Sequence, residues 1–376
     1  MRWIRVKVVF LLFAAITAAF SINTIKDASE LKDMFSMVSV RFAEEGVTEK
    51  TLNEALMSDN EKQELRYMEV TAWKRIAEAE INNTDLRRTR TVSIITTGGN
   101  MAQTIPMALL QGNYVYPGDK KGCVIDKDTA YSLFGTEHAV SNIVNYNQKN
   151  YVIRGIVKTD ERVFLIQGEN ERITYNNLEF IYSDKERGEA LTREFLLLNG
   201  MDNYVMIDGY FFGRLIHSLL TLPVWLFLLL AGYRIVMYYR GLNGSINKKT
   251  YLLCGGILVL TLTGYGLLLY QFTGNPLYIP EKLIPTKWSD FDYWLKQYQI
   301  LRDQIRQIRY LAPNPRDILL MDELTKLSLN ITVMVILYGY MLHFTGHYGK
   351  YNGAVLNQQI KYNPFKNNRL NKASTK

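Results

Sequence analysis

Few residues in this chain are spaced for chemistry. The first to consider are His343 and His347, four positions apart and so on one face of any helix that carries them. Two imidazoles at that spacing suit a metal, but the Glu of a zinc-protease motif is missing and no third ligand type is nearby. They read instead as side chains at the inner end of an apolar run. His138 is the lone histidine of the long polar stretch 23–212, and no Gly-x-Ser-x-Gly occurs anywhere, so a serine nucleophile would have neither its elbow nor a ready base. The phosphate loop Gly-x-x-x-x-Gly-Lys-Ser/Thr is absent, which assigns any nucleotide chemistry to a partner. Gly98 and Gly99 follow the β-rich run Thr91–Thr97 without the spacing of a dinucleotide fingerprint and mark a turn. Cys123 and Cys254 fall in a polar and an apolar segment respectively, a separation no single disulfide spans. These readings point away from an enzyme, and toward a chain with no cofactor or metal of its own.

The elements that carry these residues are dominated by apolar runs. Gly213–Tyr238, Tyr251–Phe272 and Leu327–Phe344 each approach or exceed the roughly 20 residues that cross a bilayer. A fourth run, Val8–Ile22, follows Arg2, Arg5 and Lys7, as a signal anchor does. Ala18, Ala19 and Ser21 resemble a cleavage region interrupted by Phe20, and an uncleaved anchor is the preferred reading. Arg214 and His217 sit near the outer mouth of the second span, where polar groups reach water.

Charge orients these spans. All 36 acidic residues lie in 23–212 and 273–326, whereas the N-terminus, the segment 234–250 and the tail 345–376 hold 13 basic residues and no acid. Basic flanks stay on the cytoplasmic side, so both termini and the 239–250 loop are expected inside, and the two acid-bearing stretches outside. The overall charge of +8 is therefore a membrane-flank signal rather than a nucleic-acid footprint.

The expected architecture is a membrane protein with four transmembrane helices and a mixed α+β extracytoplasmic domain. Its segments are an anchor (1–22), the outer domain with a helical stalk (23–212), span two (213–238), an inner loop (239–250), span three (251–272), an outer loop (273–326), span four (327–344) and a basic tail (345–376). An outer domain of about 190 residues is long enough to bury its own core. The stalk is expected over Thr24–Met68, with helices over Glu69–Ala79, Lys127–Phe134 and Ser183–Leu198. Strands are expected over Thr91–Thr97, Val124–Ile125, Arg162–Gln167 and Ile173–Tyr182, and a hairpin over Ile143–Val157. Helices mixed with strands without βαβ alternation define the α+β class. In the outer loop, Phe291, Trp294, Leu295, Tyr298, Leu301 and Ile305 recur at helical spacing and form an amphipathic face, suited to packing on protein or to lying in the membrane interface.

One anchor, a large outer domain and three further spans accompany a local pattern: Val70-Thr-Ala-Trp73, then Leu109-Leu-Gln-Gly-Asn113 leading to Gly118-Asp119, Cys123-Val-Ile-Asp126, Ala130, Leu133-Phe-Gly135 and Tyr151-Val-Ile-Arg-Gly-Ile-Val157. Topology and pattern together resemble the MacB/FtsX-like permeases of ABC transporters. This resemblance implies a permease working as a homodimer, or as a heterodimer with another permease, in contact with membrane lipids and driven by a separate cytoplasmic ABC ATPase that binds the ATP. Peptides, lipids or antibiotics would be its substrates. The ATPase would engage the inner loop, with Arg240, Gly241, Leu242 and Asn243 as the candidate coupling residues. That loop is short and lacks the Glu of the family's coupling helix, and the outer segment 273–326 is longer than the family's usual loop. A non-transporting binding, sensor or scaffold protein with a permease-like outer domain is the alternative.

Overall fold

The computed structural model describes residues 2–34, 36–43, 46–62, 68–159, 161–170, 172–241, 247–273, 283–285, 287, 289–310 and 315–361. The chain divides into two units: Glu30–Leu215 with Pro280–Leu324, and Met1–Ser29 with Ile216–Ile279 and Thr325–Lys376.

The first unit opens with the end of helix α1 (Arg2–Met34) and continues through β1 (Val38–Phe42), β2 (Val47–Thr48), α2 (Glu49–Lys62), β3 (Met68–Asn83), β4 (Arg88–Gly98) and β5 (Ala108–Gly112). Next come β6 (Gly122–Asp126), α3 (Lys127–Phe134), β7 (Ile143–Tyr146), β8 (Lys149–Lys158) and β9 (Val163–Gln167). The series ends with β10 (Thr174–Tyr175), β11 (Asn177–Tyr182), α4 (Gly188–Leu198), β12 (Tyr204–Asp208) and the start of α5 (Gly209–Gly241). After α6 (Lys248–Thr273) of the other unit come α7 (Phe291–Tyr310) and the first turns of α8 (Pro315–Lys361).

A ten-stranded sheet runs in the order β12-β1-β11-β3-β4-β9-β6-β8-β5, with β7 bridging β3 and β8. The β4–β9 and β6–β8 pairs are parallel and the others antiparallel. Among the described residues, buried clusters centre on Phe180, Tyr175 and Phe195, on Ile94, Ile125 and Phe164, and on Trp73, Val124 and Leu165. The mixed α+β architecture expected from the sequence is the one observed.

Local signals were sound where side chains cap or turn the backbone. The α3 helix occupies the expected residues because Asp126 accepts the Thr129 amide at 2.8 Å at its start and Gly135, at φ 76°, closes its end. The β7–β8 hairpin turns at Asn147 and Gln148, both at positive φ as a primed turn requires.

Two expectations are corrected. The segment Glu69–Ala79 is not a helix but most of β3. Its Glu, Ala, Lys and Arg favour a helix in isolation, yet pairing with β11 on one side and β4 on the other, with Trp73 fully buried, overrides that preference. A bulge at Ile76/Ala79, with Glu78 at φ 57°, absorbs the irregularity. The stalk also ends early. The α1 helix stops at Met34, and Val38–Phe42 becomes a fully buried strand between β11 and β12, because alternating β-branched residues find partners on both edges.

The other unit is helical. Among the described residues, three helical segments are long and apolar enough to cross a membrane: Gly209–Met237, Lys248–Gln271 and Arg316–His343. The basic-flanked run Val8–Ile22 lies inside the continuous helix α1. The Ser21 and Tyr338 hydroxyls hydrogen-bond at 2.7 Å, joining α1 to α8, and Phe227 of α5 stacks on Tyr338 at 4.5 Å. Tyr239 and Tyr251 stack at 4.4 Å where α5 ends and α6 begins. Between α5 and α6 an apolar groove of about 540 Å³ is lined by Leu228, Gly232, Ile257, Leu262 and Tyr265 among others.

Candidate functional site

The most unusual chemistry in the folded unit is charge in its interior. Arg41 on β1, Glu179 on β11, and Arg316 and Asp317 in the first turn of α8 are all buried. Arg41 grips Asp317 with two hydrogen bonds, Nε to Oδ2 at 3.2 Å and Nη2 to Oδ1 at 3.1 Å, and reaches Glu179 Oε1 with Nη1 at 2.8 Å. Burial works against charge on Arg41, but the two carboxylates outweigh it and hold the guanidinium above its already high ordinary value. The planar fork suits two acids at once, which an ammonium could not match.

Glu179 is the centre of the cluster. It accepts hydrogen bonds from the Trp73 indole at 3.0 Å and from the Ser39 hydroxyl, and it lies 3.9 Å from Arg316 Nε. Arg316 donates Nη1 to the carbonyls of Gln103 and Thr104 at 2.7 and 3.3 Å and places Nη2 2.9 Å from Met37 Sδ. Arg41 also stands 5.5 Å from the centroid of the Trp73 ring. Two guanidiniums face two carboxylates, so the cluster carries no formal excess charge.

This cluster fastens two chain segments that adjoin long helices, β1 and the start of α8, and strand pairing brings a third beside them. The β1 strand follows α1, and α8 begins with Pro315, whose missing N–H suits a first helical position. The β12 strand pairs with β1 and passes directly into α5, whose first turn Asp208 caps by accepting the Phe211 amide at 3.0 Å. The Gly209 amide also donates to Met37 O at 3.0 Å. Separating the first turn of α8 from the sheet would break these buried ion pairs.

No family model matches this chain, and no curated protein matches it. Among solved structures, the periplasmic region of MacB from Actinobacillus actinomycetemcomitans is similar at 13% identity and TM-score 0.38, over 48% of this chain and 92% of that one. The extracellular domain of the noncanonic ABC-type transporter YknZ from Gram-positive bacteria is similar at 14% identity and TM-score 0.36, over 46% and 99%. Both are extracytoplasmic regions, one of MacB and one of an ABC-type transporter.

The residues singled out by the sequence are placed apart from the ion cluster. Arg240 and Gly241 end α5, while Leu242 and Asn243 lie outside the described residues. On α7, Trp294, Leu301 and Ile305 are half-buried, and Phe291, Leu295 and Tyr298 are exposed. Gly98 and Gly99 serve packing and turning: a Cβ on Gly98 would sit 2.9 Å from the Tyr175 hydroxyl, and Gly99 has φ 121°. His138 pairs with the Gln111 side chain, and Arg214 lies 3.5 Å from Glu186 and over the Tyr210 ring. In the segments that carried the resemblance, Asp119 bonds Arg154 at 2.9 Å; its partial burial raises its pKa, and the bonds from Arg154 and the Lys121 amide pull it below the usual carboxylate value. Among the described residues no group of three or more metal-ligating side chains converges.

Sequence reasoning missed the ion cluster itself. A signal was present in Leu178-Glu179-Phe180, a carboxylate inside an apolar strand run, which predicts a buried partner without saying which one.

Proposed function

We propose that this chain is the permease subunit of a MacB/FtsX-like ABC transporter, one that couples a separate cytoplasmic ATPase to movement of its outer domain. The observation that carries this reading is the clamp of Arg41 on Asp317, reinforced by Arg316, which ties the first turn of α8 into the sheet. A helix fastened this way transmits displacement to the folded unit instead of sliding past it. Four spans are proposed, with α1 joining the three membrane-capable helices, both termini inside and the folded unit outside. This arrangement is supported by the segregation of acidic and basic residues. Permease pairs export or handle peptides, lipids or antibiotics at the outer surface, and the inner residues Arg240, Gly241, Leu242 and Asn243 contact the ATPase.

The short, acid-free loop between α5 and α6 favours a second reading, a membrane-anchored binding, sensor or scaffold protein that has no ATPase. Purifying the tagged protein from native membranes, with mass spectrometry and an ATPase assay on the complex, separates the two. A stoichiometric cytoplasmic ATPase, lost when residues 240–243 become Gly/Ser, supports the permease. Recovery of outer or membrane partners alone, without hydrolysis, overturns it.

A further inference from the structure

The α7 helix divides its apolar residues between two edges. Trp294, Leu301 and Ile305 form the half-buried edge, and the helix lies against β12. The other edge is open: Phe291 is 79% exposed, Leu295 61% and Tyr298 64%. One helical row continues this open edge through Arg302 and Arg306, both exposed, so the same face is apolar over its first two turns and cationic beyond. Arg302 has Asp303 3.6 Å away, itself exposed, and over 291–310 the helix carries Lys296, Arg302, Arg306 and Arg309 against Asp292 and Asp303.

We infer that this open edge of α7 seats on a bilayer surface bearing anionic phospholipid headgroups. Aromatic and aliphatic side chains followed by arginines on one face match the depth profile of an interface, apolar at the acyl boundary and cationic at the phosphates. Chain continuity favours the same occupant. The strand under α7, β12, runs without a break into α5, and only residues 311–314 separate α7 from α8, so both neighbours of the helix are segments that lead into membrane-capable helices. The inference rests on reading those helices as spans.

The test uses the full chain in nanodiscs of phosphatidylcholine and phosphatidylglycerol. An environment-sensitive fluorophore is placed at Leu295→Cys, or in parallel at Tyr298→Cys, in a Cys254→Ser background where the remaining Cys123 is buried. Lipids spin-labelled near the headgroup should quench the label at 295 and leave one at Asp303→Cys bright. Each arginine near an anionic surface adds on the order of fivefold to association. Arg302→Glu with Arg306→Glu should therefore release the 295 label from quenching. The unsubstituted chain labelled at Cys254 checks the spans independently through mid-chain spin labels. Quenching at Cys254 with none at 295 or 298 overturns the α7 inference and leaves the spans standing. Absence of quenching at Cys254 removes the spans and the inference together. A 295 label shielded from water but untouched by lipid spin labels assigns the edge to a protein surface and also overturns the inference, as does quenching that the double arginine reversal leaves unchanged.

Discussion

Arg41 and Asp317, 276 positions apart in sequence, form a buried two-point contact with N–O distances of 3.2 and 3.1 Å. Its side chains are 6% and 8% exposed, so water screens it little. Asp317→Asn should leave Arg41 with one carboxylate in place of two and lower the stability of the folded unit by about 3 kcal/mol or more, the size expected when a buried pair loses a member. Limited proteolysis against denaturant measures it. Joint replacement by apolar residues, Arg41→Met with Asp317→Leu, leaves Glu179 facing Arg316 and should recover much of that loss in the same assay.

Glu179→Gln should be at least as damaging. The carboxylate is fully buried and serves Arg41, the Trp73 indole and the Ser39 hydroxyl together. A neutral amide keeps the shape but leaves the two guanidiniums with Asp317 as their one remaining acid in the cluster, at a cost of roughly 3–5 kcal/mol. The change in tryptophan fluorescence on unfolding, compared with that of a Trp73→Phe chain, gives the readout.

Acid should weaken the unit through two surface-facing carboxylates. Burial pushes the Asp119 and Glu169 values up, but Arg154 for the first, and Lys149 with the Tyr151 hydroxyl for the second, hold both below their ordinary range. Because the folded values are depressed, their contribution is present above the unfolded values and is lost as pH falls through the folded ones, below about pH 4. Arg154→Gln should flatten the Asp119 part of that dependence in thermal melts taken across the acid range. Asp126 has the opposite sign: its burial raises its value, so its ionisation opposes folding as pH rises through that region.

Gly98→Ala should destabilise by roughly 1–3 kcal/mol, since the new methyl meets the Tyr175 hydroxyl at 2.9 Å and the fully buried Tyr175 has little room to shift. The melting temperature of the purified protein checks this, and Gly200→Ala, at a site with open space but φ 64°, gives the strain of a positive φ alone for comparison.

Thiol chemistry should distinguish the two cysteines. Burial raises the Cys123 thiol well above its ordinary value and removes it from solvent, while Cys254 is exposed on α6. With Cys254 replaced by serine, a maleimide should modify one thiol only after denaturation. In Cys254→Ser the folded chain should be unreactive.

The sequence by itself determined the features that depend on short separations: where apolar runs are long enough to span, which segments carry acid, where Asp126 starts and Gly135 ends α3, and where the β7–β8 hairpin turns. Each of these follows from neighbouring residues acting on their own backbone or on a bilayer. Only the tertiary structure decided that Glu69–Ala79 is strand and that Val38–Phe42 leaves the stalk to lie between β11 and β12, because a strand is chosen by partners that local propensity does not contain. It also decided the ion cluster. Glu179 signalled a buried charge, but Arg41, Arg316 and Asp317 come from distant parts of the chain, and their attraction becomes strong only after folding has excluded the water between them.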